Sequence, residues 1–521
     1  MSGFDGEVEF AQISDSGRFL VAGGLGGTAR LWDLDRLDPL ASESSLASNP
    51  YSGVKAIEIS PSGYLAVTLR GSSLEFWDIS HPNQPDLRFA TDIDLKQFGD
   101  CIACHIVIAP NDRWIAVQSG EEGRSQLVEI GASQSVRRIF SVAARTWRNT
   151  GEIIFSPDSH SLLVEEKGQI HVVYNLSDNQ PEKKVFSDSG SYYDPIFSSD
   201  AHWVCFRALG LEYKGQPGRN HAAGFIAPMN ALLDMTKRMQ LTGFKTGIGS
   251  VEFSPDGHWL ALSGESSYPA REQDDRTVQL LHLDGGAWVK QTDFAPIEYA
   301  AAGMRFSPDG QWLFTGSGDI TLGDRNVSAR VWPLGEPITP NSGQQLPGVI
   351  WNLKLAAFSP DSKWLVTVSG AESYARLWSV KDGKLRHVSV LIGPQPKLNN
   401  HWSATFGADS QSLVLWTIDD ATPFFWSLSE TPISPRGVAL PNGDREIKDV
   451  RFSPSSRALT ILDSGGTTSG TSGTEGAHLV FIDLTTFPSE DSYAVIPARA
   501  CYVFHARALH MRVIMMQAKA M

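Results

Sequence analysis

A four-residue turn of the type Ser-Pro-Asp-Gly recurs along the whole chain, and this repeat restricts the possible folds more than any other feature. The turn or a near copy occurs ten times between Ser14 and Ser453, roughly every 49 residues. The copies occupy residues 14–17, 60–63, 109–112, 156–159, 198–201, 254–257, 307–310, 359–362, 407–410 and 453–456. Pro presets the backbone at the second position, Asp bonds back to the main chain, and Gly accepts the left-handed conformation. The pattern therefore predicts a tight turn in every repeat.

An alternating segment precedes each turn, as at residues 251–253, and an apolar run follows it, as at residues 312–314. This is the pattern of a β-hairpin. A third segment ends in an aromatic motif, such as Arg-Leu-Trp-Asp-Leu at residues 30–34, and the stretch before the next turn has room for a fourth strand, as at residues 238–241. Four antiparallel strands per repeat form a propeller blade, so we predict an all-β propeller.

Ten of the tryptophans occupy two fixed positions of the repeat. Five follow the first turn residue by five positions, namely Trp114, Trp203, Trp259, Trp312 and Trp364. Five end the third segment, namely Trp32, Trp77, Trp332, Trp378 and Trp426. A large ring at an equivalent place in successive blades buries apolar area against the neighbouring sheet. We therefore predict that both classes pack between blades.

At these residues the chain resembles the WD40-repeat β-propellers, in particular the prokaryotic type with Ser-Pro-Asp-Gly turns. The resemblance covers nearly the whole sequence and implies a platform for protein interactions. Trp-Asp pairs close only two repeats, at Trp32 and Trp77, and the family's Gly-His dipeptide is absent from the outer-strand positions. The resemblance therefore implies that the family's Asp-His-Ser-Trp hydrogen-bond tetrad is mostly missing, so that the blades depend on packing. A TolB-type or peptidase-associated propeller shares the turn but lacks the Trp-ended third strand.

The repeat count predicts about ten to eleven four-stranded blades. Ten turns are complete, and residues 501–514 look like the first two strands of an eleventh repeat. WD40-like rings commonly close at seven blades, which favours two rings: residues 1–348 as a first propeller and 349–521 as a second, incomplete one. One ring of ten is the alternative. Because the chain begins at an inner strand and stops within a blade, we expect a truncated twin propeller or a partner covering the last edge.

The segment Cys101-Ile102-Ala103-Cys104-His105 has the spacing of a c-type haem attachment site. It occupies an inner-strand position, where residues three apart face opposite sides of the sheet. We interpret it as structural, with haem, a metal or a redox pair as alternatives. The glycine-rich segment at residues 24–29 imitates a dinucleotide fingerprint, but a strand ending in Trp32 follows it instead of a helix, which indicates a hairpin turn.

Recognisable catalytic motifs are absent from the sequence. It has no Gly-x-Ser-x-Gly elbow, no phosphate-loop lysine motif and no His-Glu-x-x-His. The acidic pairs at residues 165–166 and 274–275 lie in or near loops, and we interpret them as charged side chains exposed to solvent. We therefore predict that the protein is not an enzyme and uses neither cofactor nor metal.

Charge and cysteine content limit the partners and the compartment. The chain has 58 acidic and 44 basic side chains and a net charge of -14, which disfavours nucleic acid and membrane surfaces as partners. Four cysteines are too few for a disulfide framework over 521 residues, and Asp5, Glu7 and Glu9 stand where an exported chain carries a basic and then an apolar run. We predict a cytoplasmic protein.

Long connections between the second and third strands mark the candidate binding surface. They expand in the fifth, sixth, seventh and tenth repeats, at residues 210–222, 265–276, 319–328 and 465–478. In a propeller these connections share one face, and those of the fifth to seventh repeats lie on consecutive blades. Partner-binding candidates there are Tyr213, Arg219, Tyr268, Arg271, Asp274 and Arg325. Tyr and Arg are enriched at interface hot spots.

We therefore predict a non-catalytic scaffold or sensor module of a signalling assembly that binds protein partners on this face. Solvated loops without a function are the alternative for the insertions. A propeller enzyme, a hydrolase or lyase with a central-funnel site, is the alternative function, because such a site would draw one residue from each of several blades.

Overall fold

A computed structural model gives the architecture of the chain. It describes residues 10–14, 16–23, 29–36, 44–46, 53–82, 84–93, 104–119, 124–131, 136–143, 153–166, 169–176, 182–185, 192–208, 224–232, 234–244, 247–264, 278–294, 301–317, 329–335, 338–339, 342–347, 353–369, 374–381, 384–393, 402–417, 422–440, 447–463, 478–484 and 493–497. These residues form ten four-stranded antiparallel sheets, each built from four strands consecutive in sequence. We call the sheets blades one to ten in chain order. The prediction of an all-β propeller with four-stranded blades is confirmed.

The first five blades hold twenty strands. Blades one and two are β1 (Phe10–Ile13), β2 (Phe19–Gly23), β3 (Ala29–Asp33), β4 (Ser44–Ser45), β5 (Val54–Ile59), β6 (Leu65–Arg70), β7 (Ser73–Asp78) and β8 (Asp86–Asp92). Blades three to five are β9 (Cys104–Ile108), β10 (Trp114–Ser119), β11 (Arg124–Ile130), β12 (Val136–Ala143), β13 (Ile153–Phe155), β14 (Ser161–Glu166), β15 (Gln169–Asn175), β16 (Glu182–Val185), β17 (Tyr192–Phe197), β18 (Trp203–Ala208), β19 (Gly224–Pro228) and β20 (Met239–Leu241). Two 3-10 turns, Met229–Ala231 and Met235–Lys237, connect β19 to β20.

The other five blades follow the same order. Blades six and seven are β21 (Ile248–Phe253), β22 (Trp259–Gly264), β23 (Val278–Asp284), β24 (Ala287–Phe294), β25 (Ala301–Phe306), β26 (Trp312–Ser317), β27 (Arg330–Pro333) and β28 (Gln344–Gln345). Blades eight to ten are β29 (Leu353–Phe358), β30 (Trp364–Ser369), β31 (Ala375–Lys381), β32 (Lys384–Leu391), β33 (Trp402–Phe406), β34 (Ser412–Thr417), β35 (Phe424–Ser427), β36 (Val438–Ala439), β37 (Ile447–Phe452), β38 (Ala458–Asp463), β39 (His478–Asp483) and β40 (Tyr493–Pro497).

The ten repeated turns adopt one conformation. In each, the N–H of the fourth residue donates to the carbonyl of the first at 2.8 to 3.0 Å. The fourth residue is left-handed every time, with φ between 56° and 74°. Gly fills this place in only four turns, and Asp112, Ala201 and four serines fill the others. The conformation predicted from the Gly-containing copies therefore holds where Gly is absent, although non-Gly residues adopt it at some cost.

Hydrophobic core lies between neighbouring blades. Nine clusters of buried side chains each join two consecutive blades, from blades one and two through to blades nine and ten. The five turn-following tryptophans pack into the cluster shared with the next blade, as Trp312 does. Trp77, Trp332, Trp378 and Trp426 instead pack into the cluster shared with the preceding blade. The prediction of inter-blade tryptophans is confirmed for these residues.

The ten blades form one β-propeller. A core of Trp312, Phe314, Leu365 and Trp378 joins blades seven and eight, where a boundary near residue 348 was expected. Blade ten meets blade one, since the N–H of Ser455 donates to Asp35 Oδ1 at 3.0 Å. The single ring of ten was the alternative to the division into 1–348 and 349–521. The expected eleventh repeat falls beyond residue 497, outside the described residues.

The blades are not held by packing alone. The indole Nε1 of Trp77 donates to Thr68 Oγ1 at 3.1 Å, and Trp332 and Trp378 donate to Thr315 and Thr367 at 2.9 Å. Each Thr lies on the second strand of the same blade. A Trp–Thr hydrogen bond thus links two strands in blades two, seven and eight, which the sequence analysis did not anticipate.

Candidate interaction surface

The long connections of blades five to seven begin and end at described strands. They join β18 to β19, β22 to β23, and β26 to β27. The second-to-third strand position predicted for these insertions is therefore confirmed. Their residues, including the candidates Tyr213, Arg219, Tyr268, Arg271, Asp274 and Arg325, lie outside the described residues, so their role stays a prediction. The same holds for the insertion of blade ten between β38 and β39.

Side chains bridge blades five and six next to two of these connections. Arg207, at the end of β18, pairs in register with Gly224 and donates from Nη1 to the carbonyl of Gly249 at 2.5 Å. Gln279 of β23 donates from Nε2 to the carbonyl of Thr242 at 3.0 Å. Both bonds cross from one blade to the other. One strand that flanks each of these two connections is therefore bonded across the seam between the blades.

Blade seven has a comparable anchor beside its long connection. Arg330, the first residue of β27, donates from Nη1 to the carbonyl of Gly343 at 3.0 Å. Its guanidinium carbon lies 5.9 Å from the centre of the Trp332 ring. A Cβ on Gly343 would lie 2.6 Å from the same ring, so only Gly permits this close approach. The third strand is thereby tied to the segment that precedes β28.

An ion pair with a buried carboxylate joins the inner strands of blades six and seven. Glu252 Oε1 accepts the N–H of Phe306 at 2.8 Å, and Arg305 Nη1 lies 3.3 Å from Oε2. Burial raises the pKa of Glu252 to about 7, although Arg305 and the Phe306 N–H both act to lower it. A carboxyl that titrates near neutrality has the pKa of a general acid or base. However, Glu252 is 6% exposed and its oxygens face the neighbouring blade, so its geometry is that of an inter-blade contact.

The same repeat position makes a second contact of this kind. Gln12 Nε2 donates to Glu58 Oε1 at 2.8 Å, between blades one and two. Gln12, Glu58, Glu252 and Arg305 all stand two residues before their turns. Sequence reasoning missed these contacts, although a polar residue in an otherwise apolar inner strand was a usable signal.

The opposite face carries Asp-His pairs in the turns of two consecutive blades. His160 Nδ1 lies 3.4 Å from Asp158 Oδ2 in blade four, and His202 Nδ1 lies 2.9 Å from Asp200 Oδ2 in blade five. Burial opposes ionisation of Asp200, but hydrogen bonds from Ser198 and His202 hold its pKa below the ordinary value. The carboxylates serve the turns, since the backbone N–H groups of His160 and His202 also donate to them at 3.0 Å.

The residues singled out for metal, haem or nucleotide chemistry are placed as follows by the described part of the chain. There, no group of three or more His, Cys, Asp or Glu side chains is placed to hold a metal ion. Cys104 and His105 lie in β9, in register with Ser119 and Gln118, as the strand interpretation predicts, whereas Cys101 falls outside the described residues. Glu165 and Glu166 end strand β14, so they stand beside a connection but within the sheet. Ala29 begins strand β3 after the glycine-rich segment.

Comparisons with known proteins agree on one repeat family. The family model described as "WD domain, G-beta repeat" matches residues 2–33, 235–280, 299–322 and 342–379. A curated relative, the uncharacterized WD repeat-containing protein sll1491 of Synechocystis sp. (strain ATCC 27184 / PCC 6803 / Kazusa), is 28% identical over 145 residues. That match covers 28% of this chain and 35% of the relative, so it spans about a third of the relative's length.

Two solved structures were also similar to the chain. A crystal structure of the eukaryotic initiation factor has a TM-score of 0.48 at 10% identity, covering 82% of this chain and 96% of that one. The C-terminal WD40 domain of Sif2 has a TM-score of 0.35 at 12% identity, covering 87% of this chain and 92% of that one. Within the described residues, no helix has the length and apolar character needed to cross a membrane.

Proposed function

We propose that this chain, a WD40-repeat β-propeller, is a non-catalytic scaffold or sensor module that binds protein partners through the long connections of blades five to seven. WD40 propellers commonly mediate protein interactions. The observation that carries the proposal is that three expanded connections all join the second to the third strand, in three consecutive blades. They therefore start on the same face of the propeller. Insertions on one face of consecutive blades form a continuous surface, and Tyr and Arg within them are suited to interface hot spots.

The anchoring of the strands supports this assignment. Arg207, Gln279 and Arg330 bond across or beside the seams next to the connections. Because the flanking strands are fixed, only the connections themselves must become ordered when a partner binds. This reduces the entropy cost of binding. Blades one to four have shorter second-to-third connections, so the surface covers one arc of the ring.

Shortening the three connections tests the proposal. Residues 210–222, 265–276 and 319–328 are replaced one at a time by two-residue turns, and co-purifying proteins are quantified for the full-length chain and each variant. The blade ten insertion is shortened within residues 465–477 as the matched control. We expect at least one protein to be lost with each of the three variants but retained with the control. Unchanged recovery by all three variants would overturn the assignment.

Point substitutions then locate the contact within the surface. Tyr213→Ala, Arg219→Ala, Tyr268→Ala, Arg271→Ala, Asp274→Ala and Arg325→Ala are compared for affinity toward the recovered partner. Truncating a hot-spot side chain costs about 2 kcal/mol or more, which is a weakening of roughly thirtyfold. We expect this loss for at least one Tyr or Arg. A substrate panel with and without chelator tests the rival function, and metal-dependent turnover would favour an enzyme.

A further inference from the structure

The outer edge of blades eight and nine combines exposed apolar and basic side chains. We define this surface, the eight–nine edge, by Lys384, Arg386, Val388, Ile392, Arg436 and Val438. Val388, Ile392 and Val438 are 41–42% exposed, and they are three of the six exposed large hydrophobic residues of the described chain. Their concentration on two adjacent blade edges distinguishes this surface, because exposed apolar residues are ordinarily scattered singly.

The charge of this edge is opposite to that of the whole protein. Lys384, Arg386 and Arg436 are exposed there, and Lys381 precedes them at the end of β31. Glu430 is the single acidic side chain among the exposed residues that the structure describes in 381–393 and 429–439. The whole chain has a net charge of -14, so this edge is a local basic region on an acidic protein. Such a region attracts an acidic partner by complementarity.

The two blade edges are joined into one surface. The N–H of Ile392 donates to the carbonyl of Pro435 at 2.6 Å, and the N–H of Gly437 donates to the carbonyl of Ile392 at 3.2 Å. Ile392 and Arg436 thus form a parallel bridge between the edges of blades eight and nine. The ring of Trp426 lies beneath the contact, where a Cβ on Gly393 or Gly437 would approach it to about 2.5 Å. The bridge therefore depends on both glycines.

The start of β32 is also fixed, by the neighbouring blade seven. Gln344 Nε2 donates to the carbonyl of Leu385 at 2.7 Å, and the N–H of Leu385 donates to Gln344 Oε1 at 3.0 Å. The amide therefore occupies both outward backbone groups of Leu385, as a neighbouring strand would. Because Leu385 and Ile392 are both bonded to adjacent blades, an added strand would have to displace these contacts. A partner is better accommodated by the side chains between them, which stand on a preorganised backbone.

We infer that the eight–nine edge is a docking surface for an acidic protein segment with apolar side chains. The carboxylates would pair with Lys384, Arg386 and Arg436, and the apolar side chains would cover Val388, Ile392 and Val438. This surface is separate from the long connections of blades five to seven. The inference therefore does not depend on the proposed function of that face.

Peptide selection on the full-length chain tests the inference. A random 12-residue peptide library is panned on the wild type, and selected peptides are measured by fluorescence anisotropy against Arg386→Glu, Arg436→Glu and the combined variant. Lys237→Glu, an exposed charge reversal in blade five, is the matched control. We expect selected peptides rich in Asp, Glu and apolar residues, affinity reduced roughly tenfold or more by the combined variant, and less than about a twofold change in the control.

Two further measurements complete the test. Val438→Ser should weaken binding of the same peptides without altering the thermal unfolding of the chain, since Val438 is exposed. Replacing the peptides' acidic residues by Asn and Gln should abolish their preference for the wild type over the combined variant. Peptides without acidic enrichment, or equal affinity for the wild type and the combined variant, would overturn the inference. It would also be overturned if a 20-nucleotide single strand bound this edge more tightly than the peptides did.

Discussion

The indole of Trp378 donates to Thr367, and the same pair recurs in blades two and seven because of strand register. In each case the Thr lies on the second strand, two positions beyond the residue that pairs with the Trp. In blade nine Leu415 holds this position, and Trp426 Nε1 has no hydrogen-bond partner among the described residues. A single side chain therefore decides whether a buried indole is satisfied, and buried polar groups left unpaired are costly.

Thr367→Val should lower the free energy of unfolding by about 1–2 kcal/mol, because Val keeps the shape but leaves the buried indole N–H of Trp378 without its acceptor. Urea unfolding measures the change. Thr460→Val is the matched control, since Thr460 is 1% exposed on the second strand of blade ten but faces Phe481 across the hairpin. An equal loss in both variants would show that the Trp–Thr bond contributes nothing specific.

Glu252 makes stability depend on pH. Burial raises its pKa from 4.5 to about 7, so the folded state binds a proton that the unfolded state has released between these values. The stabilising contribution is therefore complete below about pH 4.5 and is lost as the pH rises through 7. Glu252→Gln should reduce the loss of unfolding free energy between pH 5 and pH 8 by about 2 kcal/mol. Urea unfolding at both pH values measures this, and identical pH dependence in the two proteins would contradict it.

The repeated turns also connect one blade to the next. The backbone N–H of the third turn residue donates to the hydroxyl of a Ser at the fourth position of the following blade, at 3.0 to 3.2 Å. These bonds run from Asn111 to Ser159, Asp309 to Ser362, Asp361 to Ser410, and Asp409 to Ser456. Ser at a left-handed position thus recovers part of its conformational cost through a bond to the neighbouring blade.

Ser410→Ala and Ala201→Ser should change stability in opposite directions. The first removes the acceptor for the Asp361 N–H and should cost about 1 kcal/mol. The second adds a hydroxyl at the fourth turn position of blade five, where it can accept the N–H of the third turn residue of blade four. It should stabilise the contact between these blades by a similar amount. Both residues are already left-handed, so the backbone cost is unchanged. Thermal unfolding of the two variants measures the effects, and shifts of the same sign would contradict the pairing.

Local signals predicted the turns, the hairpins and the two tryptophan positions, because they reside in a few adjacent residues. The Ser hydroxyl bonds between turns, the Glu252–Arg305 pair and the Gln344 amide on Leu385 join residues 41 to 53 positions apart. They become visible only when the neighbouring blade is in place. The candidate residues from Tyr213 to Arg325 lie in connections whose composition indicates binding. No local periodicity of the sequence determines how these connections are arranged.

The ring closes where blade ten meets blade one. Every described sheet consists of four strands consecutive in sequence, so within the described ranges no strand is exchanged between blades one and ten. Asp35 replaces the missing Ser at this seam, accepting the N–H of Ser455. Blades ten and one are therefore joined by this side-chain contact and by a close backbone contact.

That backbone contact requires Gly17. Gly17 has a φ of 73°, and a Cβ there would lie 2.3 Å from the carbonyl oxygen of Phe452 in blade ten. Gly63 occupies the same turn position with a φ of 74°, but its Cβ would meet only the Phe19 ring at 3.7 Å, an ordinary contact. The two glycines therefore share a backbone conformation, but a methyl group added at Gly17 would push the neighbouring blade away, whereas one added at Gly63 would not.

Gly63→Ala should cost about 1 kcal/mol for the left-handed backbone alone, whereas Gly17→Ala should cost several kcal/mol, because the methyl group also forces blade ten away from blade one. Urea unfolding gives the free energies. Small-angle scattering below the unfolding midpoint should show a larger radius of gyration for Gly17→Ala but not for Gly63→Ala, since an open ring is less compact. Equal destabilisation with unchanged radii would mean that the Gly17–Phe452 contact does not hold the ring closed.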